Sequence, residues 1–328
     1  MVRVPAGMYT IGSDEGIYPE EAPEHQVWLD EFWIGQFPVT NAEYACFIKA
    51  GGYEDERWWD TATGRSWKRG EIEDDRITNT IDSWKRYRTD PALLQSHLEE
   101  GVISDSEYGK LLDYLQLDLT ELIKTLNAIA PPSKAHRLPY RWNRTEPADL
   151  ARPTTGICWH EARAYCLWLS QCSSREFQLP TEVQWEAVAR GTSGLPYSFG
   201  SSFHAQFCNS AHTRLFGPSP VGVFDQVSSC PHPSDLTGNV FEYTSTIESP
   251  AYAYPYVSDD GREALDPTDD MYRIIRGGSW RANHIDSRSA CRYSVVHTTR
   301  NDNTGFRLLS HVTPPERGTV SSHDRGDS

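Results

Sequence analysis

The chain has no segment suited to a membrane or to export. None of its 328 residues belongs to a run of about 18 consecutive apolar residues, the length that a spanning helix needs. Met1 is followed directly by Val2 and Arg3, without the basic and apolar blocks of a signal peptide. We therefore expect a cytoplasmic protein with no membrane insertion.

Paired cysteines and closely spaced histidines are also missing. The seven cysteines cannot all pair and form no C-x-x-C motif, and a chain of this size needs no disulfides, so we expect reduced thiols. No two of the eleven histidines stand three or four residues apart, so one helix cannot supply two ligands of an iron site. Nucleophile-elbow, phosphate-loop and dinucleotide motifs are absent too.

Basic residues are too few for a polyanionic partner. The chain carries 31 Lys and Arg against 46 Asp and Glu, a formal net charge of −15. Such a surface repels phosphate backbones and anionic lipids. We expect no nucleic-acid partner, and an unidentified protein or small ligand instead.

The residues that are abundant describe a folded protein rich in loops. Hydrophobic residues make up 38% and aromatic residues 12% of the chain, while 23 Gly and 21 Pro interrupt most regular patterns. Three helical signals stand out: a capping box at Thr40–Glu43, an amphipathic run at His160–Leu169 and a second capping box at Thr181–Gln184. Gly51 and Gly191 predict the ends of the first and third helices.

Residues 68–138 read as a helical insertion within a single domain that covers residues 1–312. Asp90 with Pro91, and Ser104 with Glu107, predict helix starts inside it. Apolar residues then repeat at helical spacing and predict core packing rather than a partner-binding face: Leu111, Leu115, Leu119, Leu122, Leu126 and Ile129. The polar residues 313–328 predict a disordered tail.

Six short motifs each occur once along the chain. They begin at Val4, Phe37, Leu179, Leu236, Arg276 and Gly305, and read VPAGMYTIGS, FPVTNAEY, LPTEVQWE, LTGNVFEY, RGGSW and GFR. Together they resemble the formylglycine-generating enzyme family, also called sulfatase-modifying factors. The resemblance implies an α+β, C-type-lectin-like fold with small twisted antiparallel sheets, few helices and much irregular loop.

The function must be inferred from the site residues, because members of this family have unrelated activities. Its catalytic members carry two copper-binding cysteines between the RGGSW and GFR motifs. Here those positions hold Ala282 and Ser287, or Ser279 and His284 in the other register, and Cys291 stands alone. We expect neither copper nor iron, and we expect a protein without catalytic activity. The alternative is a metal-dependent oxidase or oxygenase that builds its site from scattered residues, related to formylglycine-generating enzyme or to the sulfoxide synthases of the family.

One metal set carries over from the resemblance. Asp235, Glu242 and the backbone carbonyls of Gly238 and Val240 match positions that bind calcium in relatives, and oxygen donors suit that ion. The resemblance thus implies a structural calcium site. The alternative is that both carboxylates only cap turns.

Residues 281–304 have a restricted alphabet. They contain no Lys, Gln, Glu, Met or Trp, the types that adenine mutation of asparagine codons cannot produce. This pattern resembles the variable proteins of diversity-generating retroelements, and it also fits an ordinary family segment. We expect a non-catalytic binding module, freestanding or the recognition domain of a larger protein. Its predicted ligand-binding residues are Arg281, Asn283, His284, Asp286, Tyr293, Val295, Val296, His297, Asn301 and Asp302.

Overall fold

The computed structural model describes residues 1–72, 77–129, 137–140, 142, 147–224, 232–266 and 272–311. The predicted tail, 313–328, lies outside these residues, as does part of the predicted insertion.

The strands form three small sheets. The first has the order β1–β4–β9, with β1 at Val2–Val4, β4 at Phe32–Ile34 and β9 at Leu309–Ser310. The second pairs β2, Gly7–Ile11, with β3, His25–Leu29. The third has the order β7–β6–β5–β8, with these bounds: β5 Phe241–Glu248, β6 Tyr272–Arg276, β7 Tyr293–Val296 and β8 Thr304–Gly305. This confirms the predicted fold class, except that β5 and β8 run parallel.

We call the described residues outside the insertion 68–138 the main domain. Its helices α1 and α9 start where the capping signals predict. Helix α1, Asn41–Lys49, follows Thr40, whose hydroxyl accepts the Glu43 amide hydrogen while the Glu43 carboxylate accepts that of Thr40. Helix α9, Glu182–Arg190, begins after the same reciprocal pair at Thr181 and Gln184. Helices α2, α7 and α8 span Ala62–Lys68, Pro147–Leu150 and Trp159–Ser173.

Four helices fill most of the predicted insertion: α3 Thr78–Thr89, α4 Pro91–Glu99, α5 Asp105–Leu115 and α6 Leu119–Ile129. The leucine stripe is divided between α5 and α6, because Asp118 caps a new helix start. Leu122 and Leu126 are buried against Trp84, whereas Ile129 is 63% exposed. None of the helices in the described part of the chain is long and apolar enough to cross a membrane.

The core of the main domain contains charges as well as aromatic rings. Each of these buried or nearly buried pairs joins a glutamate to an arginine of the segment 276–307: Glu21 to Arg288, Glu161 to Arg300, Glu182 to Arg292, Glu186 to Arg276 and Glu242 to Arg307. The carboxylates are at most 1% exposed. These contacts attach the C-terminal segment to distant parts of the chain.

Candidate functional site

The C-terminal segment leaves β6 at two glycines. Gly277 and Gly278 have φ values of +97° and +74°. A Cβ on Gly277 would lie 2.9 Å from the Trp185 ring, and one on Gly278 would lie 2.6 Å from the Ser287 hydroxyl oxygen. Because only glycine accepts both the conformation and the crowding, these two residues direct the following loop back across the domain.

The loop is anchored by buried aromatic residues. Trp280 is 4% exposed and Phe306 is fully buried. The Trp280 ring lies 4.3 Å below the guanidinium of Arg281, a favourable cation–π distance. This stacking holds Arg281 at the surface of the loop.

Arg281 belongs to a cleft between the loop and the helical insertion. The cavity has a volume of about 430 Å³. The main domain contributes Tyr140, Arg281, Arg300, Asn301, Asp302 and Asn303. The insertion contributes a wall of mainly apolar and aromatic side chains: Ile77, Thr80, Ser83, Tyr87, Ile103, Glu107, Lys110, Leu111, Tyr114, Leu126 and Ile129. We call this the composite cleft.

An ion pair links the two sides of the composite cleft. Nη2 of Arg281 donates to Oε1 of Glu107 at 2.6 Å and more weakly to Oδ2 of Asp302 at 3.4 Å. The other Glu107 oxygen accepts from the amide and hydroxyl of Ser104. Burial raises the pKa of Glu107, but the charge of Arg281 and these hydrogen bonds outweigh it, so the pKa is lowered overall.

Two other predicted residues lie in a separate cluster. The Tyr18 hydroxyl donates to Oδ1 of Asp286 at 2.6 Å, and burial together with this carboxylate raises the pKa of Tyr18. Tyr293 is 39% exposed, and its ring lies 5.4 Å from that of Phe241. The exposed ring of His284 packs instead near Phe203, at 5.8 Å. The ten predicted residues therefore do not form one continuous surface.

His297 is not on the predicted exposed face. It is 2% exposed, and its Nδ1 lies 2.8 Å from Nε2 of His160. Burial lowers the pKa of His160. The expected exposure of His297 was wrong, because the segment turns inward after β7 and places this ring in the core; its part in ligand binding stays a prediction.

Three further predicted residues have local roles. Oδ1 of Asn283 accepts the amide hydrogens of Ile285 and Asp286, which is a turn-forming arrangement. Val295 and Val296 are half-buried on β7, and Val295 packs on the aromatic core.

Glu242, one of the four residues predicted to bind calcium, is already paired with an arginine. Both oxygens of Glu242 accept from Arg307, at 2.5 and 2.6 Å, and one also accepts from Trp185. Asp235 accepts the amide hydrogen of Gly222 at 2.8 Å. Gly238 has φ +79° in the turn, and Val240 is buried. A guanidinium already neutralises Glu242. The calcium site of Asp235, Gly238, Val240 and Glu242 stays a prediction, and this pairing is the observation against Glu242 as a ligand.

The family's copper positions hold no thiolate pair. Ala282 and Ser287 are buried, and burial raises the pKa of the solitary Cys291 thiol. Within the described residues, no group of three or more His, Cys, Asp or Glu side chains is placed to hold a metal ion.

Sequence reasoning missed the insertion side of the composite cleft. Tyr87, Glu107 and Tyr114 carry ordinary helical signals, and Glu107 was identified only as a capping residue. Nothing local to these residues indicates that they face Arg281, which lies 174 positions from Glu107.

Tyr293, on β7, and His297, in the turn that follows β7, should respond differently to truncation. We expect Tyr293→Ala to change the free energy of unfolding by less than about 1 kcal/mol, since its ring is partly exposed. We expect His297→Ala to cost about 2 to 3 kcal/mol, because it leaves a cavity and an unpaired His160. Urea denaturation of both variants measures this; equal losses would contradict the assignment of His297 to the core.

Comparisons with a family model and with known proteins agree on one family. A model described as a sulfatase-modifying factor enzyme 1-like domain matches residues 1–312. The chain is 26% identical to the inactive C-alpha-formylglycine-generating enzyme 2 of Bos taurus, over 96% of this chain and 89% of that protein. It is 25% identical to hercynine oxygenase of Mycolicibacterium smegmatis, over 85% of this chain but 54% of that protein. It spans 38% of the serine/threonine-protein kinase pkn1 of Chlamydia pneumoniae, at 22% identity.

Solved structures agree on the fold. PvdO from Pseudomonas aeruginosa aligns with a TM-score of 0.58 and 20% identity, over 95% of this chain and 94% of its own. Treponema denticola variable protein 1 aligns with a TM-score of 0.54 and 14% identity, over 94% of both chains. At these identities the likeness establishes the architecture and not the activity.

Proposed function

Because the chain belongs to the family of sulfatase-modifying factor enzyme 1-like domains, we propose that it is a non-catalytic module that binds its ligand in the composite cleft. The observation that carries the proposal is the meeting of Arg281, Asn301 and Asp302 with the helical insertion around one cavity. Its volume, about 430 Å³, lies within the range of ligand pockets, roughly 300 to 1,000 Å³. Tyrosine, asparagine and arginine, which this cleft contains, are side chains enriched in binding surfaces.

The positions of the family's catalytic pair support binding over catalysis. Ala282 and Ser287 provide no soft ligand for copper, and the buried Cys291 provides one at most. The similar bovine protein is itself named inactive. The likeness to hercynine oxygenase supports the alternative, a metal-dependent oxygenase. Iron and copper analysis of the purified protein distinguishes the two.

We also propose that residues 281–304 are a diversified segment. Their restricted alphabet and the structural likeness to the Treponema variable protein support this. A template repeat beside the gene, differing from the coding copy at adenines, would establish it. An unrelated flanking sequence would leave the segment as ordinary family sequence.

Filling the composite cleft tests its role. Ser83 lines the cavity from α3, whereas Thr89 lies on the same helix outside it. We expect Ser83→Trp to abolish the binding of fragments found by saturation-transfer NMR, because the indole occupies their volume, and we expect Thr89→Trp to keep it. Fragments that bind Ser83→Trp as well as the unaltered protein would contradict the proposal.

A further inference from the structure

The composite cleft has two chemically different walls. The helical wall includes Ile77, Leu111 and Leu126 together with the rings of Tyr87 and Tyr114. The opposite wall is polar and contains Arg281, Asn301, Asp302 and Asn303. A ligand that fills both halves needs an apolar body and a polar end.

Arg281 is the incompletely paired donor at the polar end. Its Nη2 binds Glu107, but its Nε is buried without an acceptor among the described residues. The side chain keeps 29% of its surface exposed. A guanidinium presents five donors in a planar fork that matches two oxygens of one carboxylate. The present contacts use that fork only in part.

The partner of Arg281 can leave without uncovering a buried charge. Glu107 is also 29% exposed, and its second oxygen is held by Ser104 at the start of α5. Turning one oxygen toward water therefore keeps the helix cap. By contrast, Arg300 in the same cleft is held by both oxygens of the buried Glu161. Glu107 is thus the exchangeable carboxylate of the pair.

The charge balance favours a single negative charge on the incoming group. Arg281 and Arg300 are each paired with a glutamate. The remaining charged residues of the lining are Lys110 and Asp302, whose opposite charges cancel. A ligand monoanion that takes the place of Glu107 again pairs the Arg281 guanidinium one to one, while the displaced Glu107 carboxylate, which is 29% exposed, is hydrated. A dianionic phosphate would add repulsion from Asp302, whose Oδ2 lies 3.4 Å from the same guanidinium.

We infer that the composite cleft takes a carboxylate with an apolar body, and that this carboxylate binds Arg281 in place of Glu107. The inference rests on the proposed function and names its ligand class. The carboxylate can belong to a small organic acid or to the acidic side chain of a peptide.

Calorimetry with matched probes tests the exchange. The probes are 4-phenylbutyrate and its neutral amide. We expect the acid to bind more tightly than the amide, and Arg281→Met to weaken the acid by tenfold or more while leaving the amide unchanged, since a charge-assisted pair is lost. We expect Glu107→Gln to strengthen the acid by about tenfold, because the internal competitor is removed while the amide oxygen of glutamine can still accept from Ser104.

A control variant separates this effect from loosening of the insertion. Arg214→Met also removes a contact between domain and insertion, that of Arg214 with the Glu99 carbonyl, but Arg214 does not line the composite cleft. We expect it to leave both probes unaffected. A purely structural role for Arg281 and Glu107 would lower the melting temperature of their variants without changing the ratio of acid to amide affinity.

Two further arms decide the source and the proposal. A blocked tripeptide containing phenylalanine and glutamate, compared with its glutamine form, distinguishes a peptide ligand from a free acid. Equal binding of acid and amide, an unchanged affinity in Glu107→Gln, or no binding of either probe overturns the inference. If acid and amide bind equally and Ser83→Trp abolishes both, the proposed function stands without the carboxylate preference; if Ser83→Trp abolishes neither, the proposed function fails as well.

Discussion

Replacing Glu242 with glutamine should lower the free energy of unfolding by about 3 to 5 kcal/mol, the range for breaking one side of a buried ion pair. Glu242 and Arg307 are both fully buried, and the carboxylate receives both Nε and Nη2 of Arg307. The amide of glutamine can accept at only one atom and leaves the guanidinium uncompensated. Urea denaturation monitored by tryptophan fluorescence measures the loss.

Calcium and chelator provide the decisive comparison for Glu242. We expect the same loss in both buffers, because the partner of the carboxylate is Arg307. Glu31→Gln is the matched control, since its pair with Arg3 is exposed and should contribute no more than about 1 kcal/mol. A loss that appears only in calcium would show that Glu242 binds the ion after all.

The second large effect is expected at Glu186. Its carboxylate accepts the Gly12 amide at 2.7 Å, contacts Arg190 at 3.2 Å and pairs with Arg276. Glu186 and Arg276 are both fully buried. Glu186→Gln should therefore cost about 4 to 5 kcal/mol, because it leaves a buried guanidinium without its counter-charge.

A double variant identifies the origin of that loss. Replacing Glu186 by Leu and Arg276 by Met together should cost less than the sum of the two single changes, since neither charge is then left alone in the core. Chemical denaturation of the complete cycle measures the coupling. Additive losses would show that the two side chains stabilise the fold independently. Asp82→Asn serves as the control, because the pair of Asp82 with Lys85 is exposed and its loss should change the stability little.

Local signals predicted the helix starts well. Thr40, Ser104 and Thr181 each accept a backbone hydrogen bond from a residue three positions later, so the whole signal lies within four residues. The family motifs predicted the fold class through their resemblance to a known family. One of them contains Gly277 and Gly278, whose backbone geometry few other residues can adopt.

Contacts between distant residues were not predictable in the same way. Glu242 has the character of an ion ligand in sequence, but its actual partner is 65 positions away. His297 was predicted to bind ligand from its place in the segment 281–304, but its environment depends on His160, 137 positions earlier. The composite cleft depends in turn on how the insertion packs, which no single motif encodes.

The buried glutamate–arginine pairs also constrain the order in which the chain can fold. Every arginine of the set lies between residues 276 and 307, and Arg288 is 267 positions from its partner Glu21. During synthesis, the carboxylates of Glu21, Glu161 and Glu182 leave the ribosome long before their counter-charges exist. Closing such long loops is slow, and an uncompensated carboxylate resists burial. We therefore expect the glutamate-bearing parts of the chain to stay hydrated during translation, and the core to close only when its last arginines have been made.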